Sequence, residues 1–330
     1  MTNIKDVAKK AEVSTATVSH VINGTRFVSE PTKQKVLESM KELNYQPNKL
    51  ASSLRSKKTN IIAFIVPDIA NFFFTGIAHH IENKLENEGY SLFISNSGEN
   101  IEKEKQQFEK LNSHYVDGII VAPAKGDHSF LKDINKENEC PVVFIDRKPD
   151  NINGTSILVD NIRGSYQAVN YLISKGHKKI GIIAGLPGIT TTHERLEGYK
   201  KALENNKISI NGTYIEIGDS KYNAGYNLSK KLISNTDISA LYVTNNLMCV
   251  GAMGYLNDKN ISIPEEIAII GFDDYKWASI TNPPLSVISQ PIKKISETAV
   301  KELMKLINKD KHKNNRVIRL KTKLIIRDSC

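Results

Sequence analysis

Residues 4–48 read IKDVAKKAEVSTATVSHVINGTRFVSEPTKQKVLESMKELNYQPN, and this stretch decides what kind of chain follows. Asn3 stands just before Ile4, Val7, Ala8 and Ala11, which share one face at helical spacing. Asp6, three residues after Asn3, suits a first helical turn. Ser14 is placed to cap a second run whose inner face is Val18, Val21 and Ile22, and Asn23-Gly24 stops it. Ser29 is placed to cap a third helix, with Pro31 in its first turn and Val36, Leu37, Met40 and Leu43 as its core face. Pro47 closes the segment. Three short helices with a tight turn between the first two predict a helix-turn-helix unit over residues 1–46.

Working outward, residues 47–60 hold few apolar side chains and end in a basic run, which predicts a hinge linker with enough helix formers for about two turns. From residue 61 the pattern changes to short β-branched runs. The predicted strands are 61–66, 90–95, 118–122, 142–146, 179–184, 213–218, 240–244 and 267–271, with amphipathic segments between them. Apolar strands alternating with helices imply parallel sheets covered on both faces. The expected α/β body is two doubly wound lobes with a cleft between them. One spans about 61–160 plus 291–320, the other about 161–290 plus 321–330.

The 330 residues carry a formal charge of +9, unevenly spread. Residues 1–60 and 309–330 each carry +6, and the long middle carries −3. Such asymmetry is a better sign of nucleic-acid contact than net charge alone. The opening MTNIKDVAKK has no apolar core of a signal peptide, and no run reaches the length of a membrane span, so the expected setting is cytoplasmic, away from any membrane. Cys140, Cys249 and Cys330 are too far apart for a Cys-x-x-Cys motif and suggest no disulfide framework. No dinucleotide fingerprint, phosphate loop or nucleophile elbow is present, and His79-His80 with Glu82 lacks metal-ligand spacing. The expectation is a protein that is not an enzyme and needs no cofactor or metal.

In the second helix, Thr15, Thr17 and His20 can point outward to base edges in a major groove while Ala16 meets a thymine methyl. Arg26 can reach a phosphate or a guanine. In the body, polar residues cluster where strands end: Asp68, Asn71, Phe73 and Phe74 after the first, then Asp146-Arg147, Arg195, Asn245-Asn246, Asp273 and Gln290. Aromatic faces and hydrogen-bonding side chains are what a small polyol needs. Trp277 suits either the pocket wall or the core.

With STATVSHVIN at residues 14–23, the first segment resembles the DNA-binding head of the lactose-repressor family, most closely its purine-repressor and ribose-repressor branch. The resemblance runs the length of the chain. It implies a homodimer on a pseudo-palindromic double-stranded operator, with Thr15, Ala16, Thr17 and His20 reading bases, Arg26 flanking, and Ser14 and Asn23 among the DNA contacts. It implies a hinge helix in the minor groove, where Leu54 wedges between base pairs and Arg55 and Lys57 approach phosphates. Ser52 stands where relatives usually carry Arg.

The lobes are similar to sugar-binding periplasmic proteins of the ribose type. The resemblance assigns Asn71, Phe73, Phe74, Asp146, Arg147, Arg195, Asn245, Asp273 and Gln290 to the effector, with Phe72 replacing a proline and Asn246 replacing a usual Asp. Purine-binding relatives place Trp where Arg147 stands, which favours a small carbohydrate, pentose-like, or its phosphate. The implied activity is repression of a carbohydrate operon, relieved when sugar binds the cleft. A catabolite-control regulator and a purine-corepressed repressor are the alternatives on the same scaffold.

Overall fold

The computed structural model describes residues 2–24, 26–45, 58–112, 116–132, 140–308 and 316–330. The chain forms two compact units, Met1–Thr59 and Asn60–Cys330.

In the first unit, α1 (Ile4–Lys10), α2 (Thr15–Asn23) and α3 (Glu30–Glu42) enclose a small core of Val7, Ala8, Ala11, Val18 and Val36. Asn3 and Asp6 form a reciprocal capping box on α1. Ser14 Oγ accepts from Thr17 N at 3.0 Å, and Gly24, with φ +61°, ends α2 in a conformation that costs a glycine little. Two expectations need correcting. Ser29 precedes α3 but makes no side-chain bond to its backbone, because its hydroxyl pairs with that of Thr32. Leu37 is 47% exposed, since Val36 and Met40 already fill the narrow inner stripe of α3.

The second unit holds two six-stranded sheets. The first lobe contains β1 (Ile61–Val66), β2 (Ser91–Asn96), β3 (Gly118–Val121), β4 (Val142–Ile145), β5 (Thr155–Val159) and β11 (Val317–Leu320), in the order β11-β5-β4-β3-β1-β2, all parallel. The second contains β6 (Ile180–Ala184), β7 (Ile215–Ile217), β8 (Ala240–Val243), β9 (Ala268–Phe272), β10 (Ser286–Ser289) and β12 (Lys323–Ile325), in the order β12-β10-β9-β8-β6-β7. One edge departs from the expected parallel arrangement: β12 runs antiparallel to β10. Only two residues separate β11 from β12, too few for the crossover a parallel return would need.

Helices cover the sheets: α4 (Phe72–Glu86), α5 (Ile101–Asn112) and α10 (Ile292–Ile307) in the first lobe, and α6 (Asn161–Ser174), α7 (Thr190–Asn205), α8 (Tyr222–Asn235) and α9 (Asn246–Asp258) in the second. Ile295, Ala299, Val300 and Leu303 of α10 share a core with Ile62, Phe64 and Ile120. The chain therefore passes between the lobes three times, after β5, β10 and β11. Trp277 packs against the second lobe's core of Leu241, Leu256 and Leu285. No helix among the described residues is long and apolar enough to cross a membrane.

Helices α8 and α9 pack backbone against backbone at two glycines. A Cβ on Gly251 would stand 2.1 Å from the Tyr222 carbonyl oxygen, and one on Gly225 2.1 Å from that of Met248. A backbone oxygen cannot be displaced cheaply, so Gly251→Ala is expected to cost about 1–3 kcal/mol in urea unfolding. Gly76→Ala in α4 meets nothing nearer than Ile292 at 3.7 Å and is expected to be neutral or stabilising.

Candidate functional site

Two surfaces carry the chemistry anticipated from the sequence. On the first unit, the outer side of α2 leaves Thr15 and Ala16 exposed and Thr17 and His20 half-buried, with Arg26 exposed just beyond. The Thr17 hydroxyl lies 2.9 Å from that of Ser14, so these two side chains brace each other while Ser14 caps the helix. Asn23 donates back to the Ser19 carbonyl and hydroxyl at 2.9 and 3.2 Å, which turns its amide onto its own helix. Leu54, Arg55 and Lys57 lie outside the described residues.

On the second unit, the two sheets aim the carboxyl ends of their strands at a common cleft, where open α/β sheets bind ligands. The cleft encloses about 650 Å³ of empty space, open solvent at its mouth included. Asp68, Asn71, Phe73, Phe74, Asp146, Arg147, Arg195, Asn245, Asp273 and Gln290 all line it. So do residues that the sequence reading did not select, notably Glu99, Thr191, Thr192 and Lys221. Glu99 follows β2 as the selected residues follow their strands, so the strand-end rule applied evenly would have found it.

Each side chain is set by its local structure. Asp68 Oδ1 accepts from Ala70 N at 3.0 Å, which shapes the turn after β1. Asn71 caps α4 through Phe73 N at 3.0 Å. Phe73 and Phe74 are 4% exposed, meet edge to face at 5.2 Å, and serve both core and cleft wall. Asn245 caps α9 through Met248 N at 2.9 Å and donates to the Ser220 carbonyl at 3.0 Å, tying down the loop after β7.

The carboxylates stand in constrained positions. Glu99, Asp146 and Asp273 have φ of +59°, +64° and +79°, a left-handed conformation costly for residues with a Cβ and concentrated at functional sites. Burial pushes the Asp146 carboxyl above the usual range, opposed by Arg147 and Arg195. Burial likewise raises Asp273, opposed by Arg195 and by hydrogen bonds from Gln290 and Asn246.

Arg147 is not an open fork. Its Nη1 and Nη2 donate to the two Glu99 oxygens at 2.9 and 2.7 Å, and Nη1 also reaches the Pro123 carbonyl at 2.9 Å. Nε lies 3.5 Å from Asp146 Oδ2 and has no hydrogen-bond partner among the described residues. Arg195 donates through Nε to Asn161 Oδ1 at 2.9 Å and through Nη1 to the Thr244 carbonyl at 2.7 Å, with its guanidinium 3.7 Å from the Phe272 ring centre.

Asn246 departs from expectation. It does not line the cleft but stands behind it, 1% exposed. Its Nδ2 donates to Asn71 Oδ1 in the opposite lobe at 2.9 Å and to Asp273 Oδ2 at 3.1 Å. Both partners are acceptors, so an ionised aspartate here would add a third acceptor and repel Asp273. Gln290 Nε2 donates to the other Asp273 oxygen at 2.6 Å, and Gln290 Oε1 is buried without a partner. Phe72 meets Tyr275 of the other lobe in a tilted ring contact, with ring centres 5.9 Å apart.

Comparison with known proteins agrees with this architecture. Residues 3–48 match the family described as bacterial regulatory proteins, lacI family, and residues 169–330 match a periplasmic binding protein-like domain. The HTH-type transcriptional repressor PurR of Aliivibrio salmonicida is 36% identical over 330 residues, covering 100% of this chain and 99% of that protein. The Lac repressor bound to ONPG in its repressed state superposes with a TM-score of 0.88 at 27% identity, covering 100% and 99% of the two chains. The transcriptional regulator CelR in complex with cellobiose superposes at 0.76 with 27% identity, covering 100% of both.

A carboxyl whose folded pKa is raised binds its proton more tightly in the native state, so its ionisation costs stability as pH rises above the ordinary carboxylate range of about 4. Asp146→Asn removes that cost and keeps a residue tolerant of the left-handed backbone. The expected outcome is a melting temperature about 2–4 °C above the parent at neutral pH. The gap should close as pH falls to about 4, where the parent carboxyl is protonated. Calorimetry across this range checks it.

Proposed function

The chain belongs to the lacI family of bacterial regulatory proteins and is a DNA-binding transcriptional repressor with a ligand-binding body, and from that premise we propose that its effector is a small uncharged carbohydrate, pentose-like, whose binding releases the operator. The observation that carries this reading is the mixed polarity of the cleft. Among the described residues Arg147 Nε is a buried donor with no hydrogen bond, only the Asp146 carboxylate 3.5 Å away, and Gln290 Oε1 is a buried acceptor with none. A hydroxyl both donates and accepts, so a polyol answers both, while buried polar atoms left unanswered are costly. Phe73 and Phe74 supply flat apolar surface for the C–H face of a ring.

A phosphate fits less well, because it only accepts. The lining holds Asp68, Glu99, Asp146, Asp219 and Asp273 against Arg147, Arg195 and Lys221, and Glu99 already occupies the Arg147 fork. The named relative PurR favours a second reading, a purine or nucleoside corepressor. Against it, the side chain after Asp146 is a charged fork rather than a flat ring. The CelR–cellobiose complex is a sugar-binding example of this architecture.

Sugar binding draws the lobes together about the three crossovers, and the closed state disfavours the DNA-bound arrangement of a homodimer. The switch works only if the ligand binds the two states with different affinity. An edge strand supports dimerisation: β2 exposes Phe93 and Ile94, beside a groove lined by Ile69, Ala78, His79 and Glu82. An exposed apolar edge of this kind needs covering, and a second copy is the proposed cover.

Thermal-shift measurements with D-ribose and other aldoses, hypoxanthine, and inorganic phosphate test the effector. A rise of several degrees with one sugar, together with loss of binding to a duplex selected from a random pool, is the expected result. A rise with hypoxanthine and tighter DNA binding would replace this reading with the purine one. Within the head, His20→Ala is expected to relax preference at one base pair by about 1–3 kcal/mol in competition binding. Raising salt should weaken all sequences together.

A further inference from the structure

The basic segment near the end of the chain has no part in the reading so far. Its described residues Arg316, Arg319, Lys321, Lys323 and Arg327 belong to or flank β11 and β12. Arg316 and Arg327 pair with Glu302 and Asp274. Arg319 does something different. It stands on β11 of the first lobe, yet its Nη2 donates at 2.6 Å to Glu194 Oε1 on α7 of the second. Its Nη1 reaches the Val159 carbonyl, at the end of β5, at 3.2 Å. The other Glu194 oxygen accepts from Asn161 Nδ2 at 2.9 Å, and Asn161 Oδ1 accepts from Arg195 Nε at 2.9 Å.

We infer that Arg319, Glu194 and Asn161 are positioning residues that hold Arg195 in its effector-facing pose and tie that pose to the hinge between the lobes. The argument is one of polarity. Asn161 is fully buried, and its amide has a donor end and an acceptor end. An amide flipped the other way would turn its NH2 towards the guanidinium, donor against donor. The Glu194 carboxylate accepts only, so it fixes the NH2 on its own side and leaves the oxygen for Arg195. Arg319 pairs with Glu194 and keeps its carboxylate aimed, so donors and acceptors alternate along the whole series.

The consequence for Arg195 is specific. Nε is taken by Asn161 and Nη1 by the Thr244 carbonyl, while Phe272 lies against the plane of the guanidinium. Nη2 makes no hydrogen bond to an acceptor among the described residues. Of the five guanidinium N–H groups, two are taken by Asn161 and Thr244, and those left on Nη1 and Nη2 are available to effector hydroxyls. Because Arg319 and Val159 sit at two of the three crossovers, rotation of the lobes changes the Arg319–Glu194 contact and, through Asn161, the hold on Arg195. The assignment of Arg195 as an effector contact rests on the reading proposed above.

The test reads Arg195 directly and needs no effector. The full-length protein is labelled with 15N-arginine, and the Arg195 Nε–H is followed by hydrogen exchange in solution. Glu194→Gln and Arg319→Ala are each expected to accelerate its exchange by about tenfold, the loss expected when a bond to a charged group fails. Arg319→Lys, which keeps the charge opposite Glu194, should return exchange to within about threefold of the parent. Arg316→Ala, paired with Glu302, should leave it unchanged. A merely structural role for Arg319 would lower the melting temperature and leave Arg195 exchange at the parental rate. That outcome, or equal acceleration by Arg316→Ala, overturns the inference. A failed sugar screen with accelerated exchange would sink the effector reading and leave the positioning network standing.

Discussion

The direction of the strands is the constraint on which the rest of this body depends. Eleven of the twelve described strands run parallel within their sheets, and both sheets turn their carboxyl ends to one cleft. Parallel strands need crossovers, many of the crossovers here are helices, and those helices begin at the cleft. This puts short polar residues at the cleft twice over, as strand-end turns and as helix caps. Asn71 and Asn245 do both jobs: each caps a helix while standing in the lining. Polar residues there are first a consequence of the fold, and only then available to a ligand.

Recognition therefore resides in how those residues neutralise one another. Glu99 takes the Arg147 fork, Asn161 and Thr244 take two nitrogens of Arg195, and Gln290 and Asn246 take the two oxygens of Asp273. What is left over is a short list of single donors and acceptors, which reads hydroxyls better than it reads charge. The same arrangement carries strain and buried charge, in the left-handed backbone at Glu99, Asp146 and Asp273 and the raised carboxyls of the last two. A site that stores cost in this way gives a ligand something to relieve.

Much of this was legible beforehand. The three head helices follow from capping residues and spacing, and ten of the eleven residues named for the cleft line it. The misses share physical causes. Strand β5, TSILV, is short and buried throughout, so no alternation marks it. Leu37 carries an apolar side chain on the rim of a stripe its neighbours had filled. Lys- and Arg-rich sequence near the C-terminus read as undifferentiated charge, whereas Arg316, Arg319 and Arg327 each meet a carboxylate distant in sequence.

By itself the sequence determined the alternation of strands and helices, the helix-turn-helix head and which residues end strands, because these depend on neighbours a few positions apart. Tertiary structure decided what those residues do to each other. Asn246 bridges Asn71 and Asp273, partners 175 and 27 residues away, and Arg319 reaches Glu194 across 125. A hydrogen bond has a direction and a reach of about 3 Å. Neither is visible until two lobes, linked by three crossovers, set the donors against the acceptors.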